Sequence, residues 1–403
     1  MGGFRQGGRG GKWVDEWTQK WTRKWTNWLG ILIGLGFLVL GLTSCTLPQV
    51  SAEERLFLDL SVEAVDHWVL PMDEFEGTRV GGLSAIAYDR NRSRFYALSD
   101  DRQRPRFYTL NLDLSPTGIN NITVEAVTEL TDRDGNSMAP LDGEGLVLTP
   151  SNSLIVSSEG SPRQQVPPRL QEFELETGRL KTDFRVPDRY LLAQATGDPA
   201  TGDPAPAGQT QGIQENIGFE ALTISAPGGS YEPFRLFAAT EGPLYQDLDL
   251  DPEIPFKNRW LHYLIDPNQT VLISEHFYAM DAAPLGALVN GLSEILSIDG
   301  GGHFLALERA FGLQGMAIKL YQLAMGVASD VGAIATLQGD TSGITPIRKQ
   351  LVADLTPLAP DNLEAMTLGP RLGDGSQSLI LVSDNNFDQR QETQVWLFKL
   401  KGL

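Results

Sequence analysis

The sequence predicts an all-β chain whose four-stranded sheets close into a β-propeller. From Arg55 onward, short apolar runs alternate with turns, and no long stretch keeps a helical period. One hairpin pattern recurs five times. A single strand is left over near the N-terminal end, where it would complete a last sheet that the C-terminus leaves one strand short.

That leftover strand is LFLDLSVEAVDHWVL, residues 56–70. The first hairpin, GGLSAIAYDRNRSRFYALSDDR from Gly81, is followed by RFYTLNLDL and NITVEAVTEL. The second, LDGEGLVLTPSNSLIVSSEG from Leu141, precedes RLQEFELETG and LKTDFRV. The third, GFEALTISAPGGSYEPFRLFAATEG from Gly218, precedes RWLHYLID and TVLISEHFY. The fourth, GLSEILSIDGGGHFLALER from Gly291, leads to IKLYQLAM and RKQLVADL. The fifth, NLEAMTLGPRLGDGSQSLILVSDNN from Asn362, is followed by VWLFKL and then the end of the chain at Leu403. Each copy pairs two apolar strands across a turn rich in Gly, Pro, Asn or Asp.

The expectation is five blades over residues 53–403, with six left open if 242–290 or 310–355 hides two more weak strands. An irregular β-sandwich shares the short strands but does not explain the orphan strand at the correct end. Two stretches read as excursions between blades or as lids: ATGDPATGDPAPAGQ at 195–209 and GVASDVGAIATLQGDTSGI at 326–344.

The formal net charge is -19, from 51 Asp plus Glu against 32 Lys plus Arg. A broad polyanion surface is therefore disfavoured and no nucleic-acid partner is expected. A small anion can still be held by a local arginine or a bound cation. No stripe suggests dimerisation, so the expected state is a monomer.

Residues 1–52 read as an export segment. Leu29 to Leu42 form an uncharged apolar run behind a basic stretch, too short for a comfortable membrane span. LTSC, ending on Cys45, is similar to a bacterial lipobox and makes Cys45, the only cysteine, a candidate for lipidation. VSA at 50–52 is a rival cleavage site, and an uncleaved anchor is a third reading; each places the chain outside the cytoplasm. Trp13, Trp17, Trp21, Trp25 and Trp28 form one helical stripe, read either as an interfacial helix or as sequence ahead of the true start.

The hairpin tips carry acids. First-strand positions supply Glu144, Glu220, Glu294 and Glu364, with Ser84 in the first copy. Second-strand ends supply Asp100, Asp101, Glu159, Glu241, Glu308 and Asp384. Innermost strands line a propeller's axis, so these groups are expected to ring one mouth of the channel. Crowded carboxylates raise one another's pKa and call for compensation. Ca²⁺ accepts many oxygen ligands in loose geometry and is the cation expected here. Arg102, Arg309, Arg79 and Arg163 are candidate counter-charges. The alternative is structural: such acids can accept hydrogen bonds from backbone amides of a neighbouring blade and need no ligand.

Other chemistries lack an anchor. There is no G-x-S-x-G elbow, and His67, His262, His276 and His303 show no metal-ligand spacing. DGGG at 299–302 is a turn between strands rather than a phosphate loop.

The strings GGLSAIAYD…FYALSDDR, DGEGLVL…LIVSSEG, FEALTIS…LFAATEGPL, LERAF and IRKQLVADLTPL…DNLEAMTLGPRLGDGSQSLILVSDNNF resemble the phytase-like family described by the esterase-like activity of phytase. The likeness runs over nearly all of 80–400. It implies a secreted or lipid-anchored propeller and calcium-dependent hydrolysis of phosphate esters such as phytate. Carried over by motif, it implicates Asp100, Asp101, Arg102, Glu144, Glu159, Glu220, Glu241, Glu308, Arg309, Glu364, Asp384 and Asn385.

The resulting expectation is a calcium-dependent phosphoric ester hydrolase acting on a small anionic substrate. Asp100, Glu144, Glu159, Glu241, Glu294, Glu308, Glu364, Asp384 and Asn385 would hold metal. Asp101 or Glu220 would act as base, and Arg102 and Arg309 would grip phosphoryl oxygens. A lactonase or carboxylic esterase, and a non-catalytic calcium-stabilised propeller that binds an envelope glycan or protein, are the alternatives.

Overall fold

In the computed structural model, described residues are 56–192, 209–225, 229, 232–251 and 253–403, together with Gly2. The apolar run, the Trp stripe, Cys45 and most of the Pro/Gly loop at 195–209 lie outside them. Among the described residues, no helix is long and apolar enough to cross a membrane.

The chain begins with β1 (Ser61–Leu70) and a small hairpin of β2 (Glu74–Phe75) and β3 (Thr78–Arg79). Blade 1 is β4 (Leu83–Asp89), β5 (Arg94–Ser99), β6 (Arg106–Ser115) and β7 (Gly118–Glu129). Blade 2 is β8 (Gly143–Leu148), β9 (Ser153–Ser158), β10 (Arg169–Glu174) and β11 (Leu180–Phe184). Blade 3 is β12 (Phe219–Ser225), β13 (Phe234–Thr240), β14 (Lys257–Asp266) and β15 (Gln269–Ala279). Blade 4 is β16 (Ala287–Ser297), β17 (His303–Gly312), β18 (Gly315–Ala324) and β19 (Arg348–Asp354). Blade 5 is β20 (Leu363–Arg371), β21 (Gln377–Ser383) and β22 (Thr393–Lys401).

Blade 5 takes its fourth strand from the other end of the chain: β1 pairs antiparallel with β22, from Ser61 opposite Lys401 to Leu70 opposite Thr393. This is the orphan strand of the sequence, and the ring has five blades. Regions 242–290 and 310–355 hold no sixth among the described residues. Innermost strands β4, β8, β12, β16 and β20 each touch the next, which closes a circle around one axis.

Strand alternation builds the core. In β9, Leu154 and Val156 pack toward blade 1 while Ile155 packs toward blade 3. Repeating this around the ring gives five apolar layers, one between each pair of adjacent blades. Both faces of each sheet are buried, so the inner strands read as continuous apolar runs and polar groups collect at strand ends.

The insertion at 326–344 is neither a solvated excursion nor a lid over the channel. Val331 and Leu337 form a small core with Phe277 on β15. Three cations hold its carbonyls: Arg189 bonds Ile334 O at 2.9 Å, Arg259 bonds the same oxygen at 3.1 Å, and Lys257 bonds Leu337 O at 2.8 Å. It braces the outer part of blade 3.

Candidate active site at the propeller mouth

A repeated backbone device places the acids. In every blade the innermost pair carries a β-bulge near its start, and the extra residue is Ser84, Glu144, Glu220, Ser293 and Glu364 in turn. A bulge leaves its extra residue outside the ladder and re-aims its side chain. The residue two positions earlier opens each blade: Gly82, Asp142, Gly218, Gly291 and Asn362. Four of these accept a hydrogen bond from the residue that closes the second strand: Asp100 N to Gly82 O at 2.8 Å, Glu159 N to Asp142 O at 3.0 Å, Glu241 N to Gly218 O at 2.8 Å, and Asp384 N to Asn362 O at 2.9 Å. In blade 4 the residue opposite Gly291 is Arg309.

The mouth thus has two tiers. The bulge tier is three glutamates and two serines; the closing tier is four acids and one arginine. Ser84 Oγ donates to Gly143 O at 2.7 Å and Ser293 Oγ to Leu363 O at 3.3 Å, each fastening its blade to the next inner strand. Glycine is required where the closing acid leans on an opening residue. A Cβ on Gly291 would lie 2.2 Å from Glu241 Oε1, and one on Gly82, whose φ is +58°, would lie 2.0 Å from Asp100 Oδ1.

Side chains from different blades converge. Glu144, Glu220 and Glu364 bring one carboxylate oxygen each within 4.8 Å of one another. The same holds for Asp142, Glu144 and Glu159, and for Glu159, Glu220 and Glu241. Asp100 and Asp384 stand next to this set, each raised in pKa by Glu364 among its neighbours. Two arginines answer eight acids. Arg309 contacts Glu364, Asn362 and, at 3.0 Å, Glu241. Arg102 Nη2 is 2.5 Å from Asp142 Oδ2 and 4.0 Å from Glu159 Oε2.

The imbalance shows in the protonation equilibria. Burial first, then Glu364 and Asp142, pushes Asp100 up to about 7. Burial and then Glu220 raise Glu144 well above the carboxylate range; burial and then Glu241 do the same to Glu220. Glu159 is raised by burial and then by Asp142, and Asp384 by burial and then by Glu364. Glu241 is raised by burial despite Arg309, and Asp142 by burial despite Arg102.

Three expected site residues lie elsewhere. Glu294 is one position past the bulge, because blade 4 places Ser293 where blades 2, 3 and 5 place Glu. Its buried carboxylate accepts Ile295 N at 2.8 Å and Leu222 N of blade 3 at 3.3 Å, the structural role weighed for such acids. Glu308 is one position short of the closing tier. It accepts Tyr278 Oη at 2.5 Å and Asp281 N at 3.1 Å and pairs with Lys349 between blades 3 and 4. Asp101 is not part of the converging carboxylate groups. Arg106 Nη1 holds it at 2.6 Å, and that bond with the amides of Gln103 and Arg104 outweighs burial to keep its pKa low.

Asn385 is at the mouth but serves as a clasp, accepting Gly82 N at 2.9 Å and so joining blade 5 to blade 1. Arg79 and Arg163 are exposed and outside the cluster. Asp142 and Asn362 escaped the sequence reading. The signal for them was the frame itself, since each stands two residues before a bulge glutamate.

The donor set suits a hard cation. Every candidate ligand is a carboxylate oxygen, and Asp100 Oδ1 is buried with no hydrogen-bond partner among the described residues. Glu144, Glu220 and Glu364, with Asp142, Glu159 and Glu241 around them, are the residues that would hold it.

Beside the cluster a cleft of about 660 Å³ opens between blades 4 and 5. Its lining joins the buried Arg309, Glu241, Asn362 and Glu364 to the apolar Val289, Phe311 and Met316 and to the polar Asn216, Asp361 and side chains of the 386–391 loop.

Comparison with known proteins names the family. Solved structures similar to this chain include an endo-arabinase from Bacteroides thetaiotaomicron, at 10% identity and TM-score 0.41 over 79% of this chain and 93% of that one. Another is the catalytic domain of an alpha-L-arabinofuranosidase from Coprinopsis cinerea, at 10% identity and TM-score 0.39 over 86% and 98%. The calcium-binding protein regucalcin from Agrobacterium tumefaciens is similar at 13% identity and TM-score 0.34 over 84% and 96%. No curated protein matches the chain in sequence. A family model described as phytase-like, esterase-like activity of phytase, matches residues 78–387, from the second short hairpin strand to the clasp loop of blade 5. The chain belongs to the phytase-like family of ester-bond hydrolases.

Proposed function

We propose that the mouth binds Ca²⁺ and hydrolyses a phosphate ester. The observation that carries this is the excess of carboxylate: eight acids against two arginines at one opening, six of the acids forming three groups whose oxygens lie within 4.8 Å of one another. Calcium is favoured over Mg²⁺ because so many oxygens from different blades suit a large, loosely coordinated ion better than a strict octahedron. Bound there, it would screen an anionic substrate and polarise the ester.

The chain's own residues supply the rest. Arg102 keeps an exposed face, at 38% exposure of its side chain, and offers N–H donors to an oxygen at the rim. Arg309 is committed to Glu241 and Glu364 and sets their orientation. With the ion held by Asp142, Glu144 and Glu159, Glu220, whose pKa is raised by burial and then by Glu241, would be left free to accept a proton, the role of a general base. Asp101, held low by Arg106, is a poor base.

A carboxylic ester or lactone is the second reading. It is favoured by the commitment of Arg309 to two carboxylates, which leaves little of that guanidinium for a phosphoryl group.

Turnover of p-nitrophenyl phosphate and p-nitrophenyl acetate, each with calcium and with a chelator, tests both. Phosphate-ester turnover that the chelator abolishes is the expected result. Equal rates with and without chelator would contradict it. We also place this activity outside the cytoplasm, on the strength of the signal-like residues 29–45. Mass spectrometry of the mature N-terminus would separate lipidated Cys45 from cleavage after Ala52.

A further inference from the structure

Blade 4 departs from the other four at the mouth. In blades 1, 2, 3 and 5 the innermost strand starts just after the opening residue and the second strand stops just before the closing one. In blade 4 both run on: Asn290 pairs with Ala310, Val289 with Phe311, and Ala287 with Gly312. β18 joins them, Phe311 opposite Met316 and Gly312 opposite Gly315. A three-stranded tab therefore rises past the carboxylate tiers.

The tab is apolar where solvent would favour polar residues. Phe311 is 47% exposed and Val289 42%. These two, with Met316, form the cleft wall that descends to Arg309, Glu241 and Glu364. The cleft volume lies in the range of small-molecule sites, and an apolar wall above a charged floor is the composition of a site for an amphiphile. The rest of the lining is polar, with Asp361, Asn386, Asp388, Arg390 and Gln391 among it, and Arg390 is paired with Asp388.

We propose that the ester taken at this mouth is amphiphilic: its ester head sits at the carboxylate cluster and an aliphatic or aryl arm lies against Val289, Phe311 and Met316. This rests on the ester-hydrolase reading above and narrows its substrate class. A compact polyanion bristling with charge would leave that wall wet. An arm of several carbons would cover it, and each methylene buried tightens binding about fourfold.

The test uses binding rather than turnover. Phe311→Trp places a fluorescent reporter on the tab of the full-length chain. It is titrated in calcium with phosphonates of rising alkyl length, methyl to octyl, and separately with n-alkanols from ethanol to octanol, which carry the arm with no charged head. The expected result is affinity that climbs about fourfold per methylene and saturates, and a much flatter slope when Val289→Ser and Met316→Ser are added. Phosphonate affinity independent of chain length, with alkanols inert, overturns the amphiphile and leaves the ester reading standing. Alkanols that follow the slope while no phosphonate binds at the mouth support the apolar subsite and count against the phosphate-ester reading instead. A response to phosphatidylglycerol vesicles but to no monomeric ligand would make the tab a membrane contact and overturn the proposal.

Discussion

Two regions of this propeller bury clusters of charge, and they solve the problem in opposite ways. On the outer strands of blade 3, Arg259 is fully buried and bonds Asp247 through two nitrogens, at 2.5 Å and 3.0 Å, and Glu275 at 2.9 Å. Tyr190 donates to Glu275 at 2.9 Å, Arg189 approaches it at 3.7 Å, and Leu337 N bonds Asp247 at 2.7 Å. Two acids meet two arginines, and Tyr190 and Leu337 N add further donors, so that of the four carboxylate oxygens Glu275 Oε2 alone has an ion-pair approach, at 3.7 Å, but no hydrogen bond. At the mouth, eight acids meet two arginines and most carboxyls are pushed up in pKa. The same chain can balance buried charge, so the imbalance at the mouth is not a by-product of packing acids at strand ends. It fits the proposal that a bound cation supplies the missing charge.

Breaking the balanced region should have the largest effect. Arg259→Met leaves Asp247 and Glu275 buried with only Arg189 near, and should cost about 3–5 kcal/mol of stability, read by urea unfolding. Calcium binding by the folded fraction should not change. A loss below about 1 kcal/mol would show that the network is not the brace inferred here.

The mouth should respond with the opposite sign. Glu220→Gln removes one of the repelling carboxylates, so the calcium-free protein should melt higher than wild type, while ester turnover falls by about 10²-fold or more. A variant that melts lower without calcium and keeps its turnover would erase the contrast between the two regions.

The pH dependence sharpens the same point. Asp100, Glu144 and Glu220 have folded pKa values raised above their unfolded ones. The stability they contribute is whole below about pH 4 and is lost as pH rises through the folded values, near 7 for Asp100. Calcium-free protein should therefore melt several degrees lower at pH 8 than at pH 5, and saturating calcium should flatten the difference. Asp281, held low by Lys349, Tyr321 and Lys319 against burial, stays ionised over that window and should not contribute. A calcium-free melting temperature that does not fall between pH 5 and pH 8 would contradict the assignment.

The smallest effect belongs to Glu294. Glu294→Gln alters a carboxylate that accepts two backbone amides between blades 3 and 4, so calcium affinity should change less than about twofold while stability drops by about 1 kcal/mol. A tenfold loss of calcium affinity would return Glu294 to the ligand set.

Glu294 also shows where sequence reading stopped. The five hairpin copies and the closing strand were legible, because alternation and turn residues repeat with each blade, while a sixth blade stayed open in the long regions 242–290 and 310–355. The β-bulge was not, since one extra residue leaves no mark on an apolar run. In GLSE the eye aligns Glu294 with Glu220, while the backbone aligns Ser293. The same one-residue offset sent Glu308 to the blade interface and made Arg309 the fifth member of the closing tier. The tie of Asp101 to Arg106 and the brace at 326–344 were hidden for another reason. Asp101 is fixed by an arginine five residues on that itself reaches back to Arg79 O, and the small-residue insertion gains its order from cations far away in the chain.

A crystal structure at saturating calcium decides whether the mouth holds an ion. Density is expected for at least one ion coordinated by Glu144, Glu220 and Glu364, or by Asp142, Glu144 and Glu159. A mouth without any ion, its carboxylates paired by shared protons instead, would contradict it.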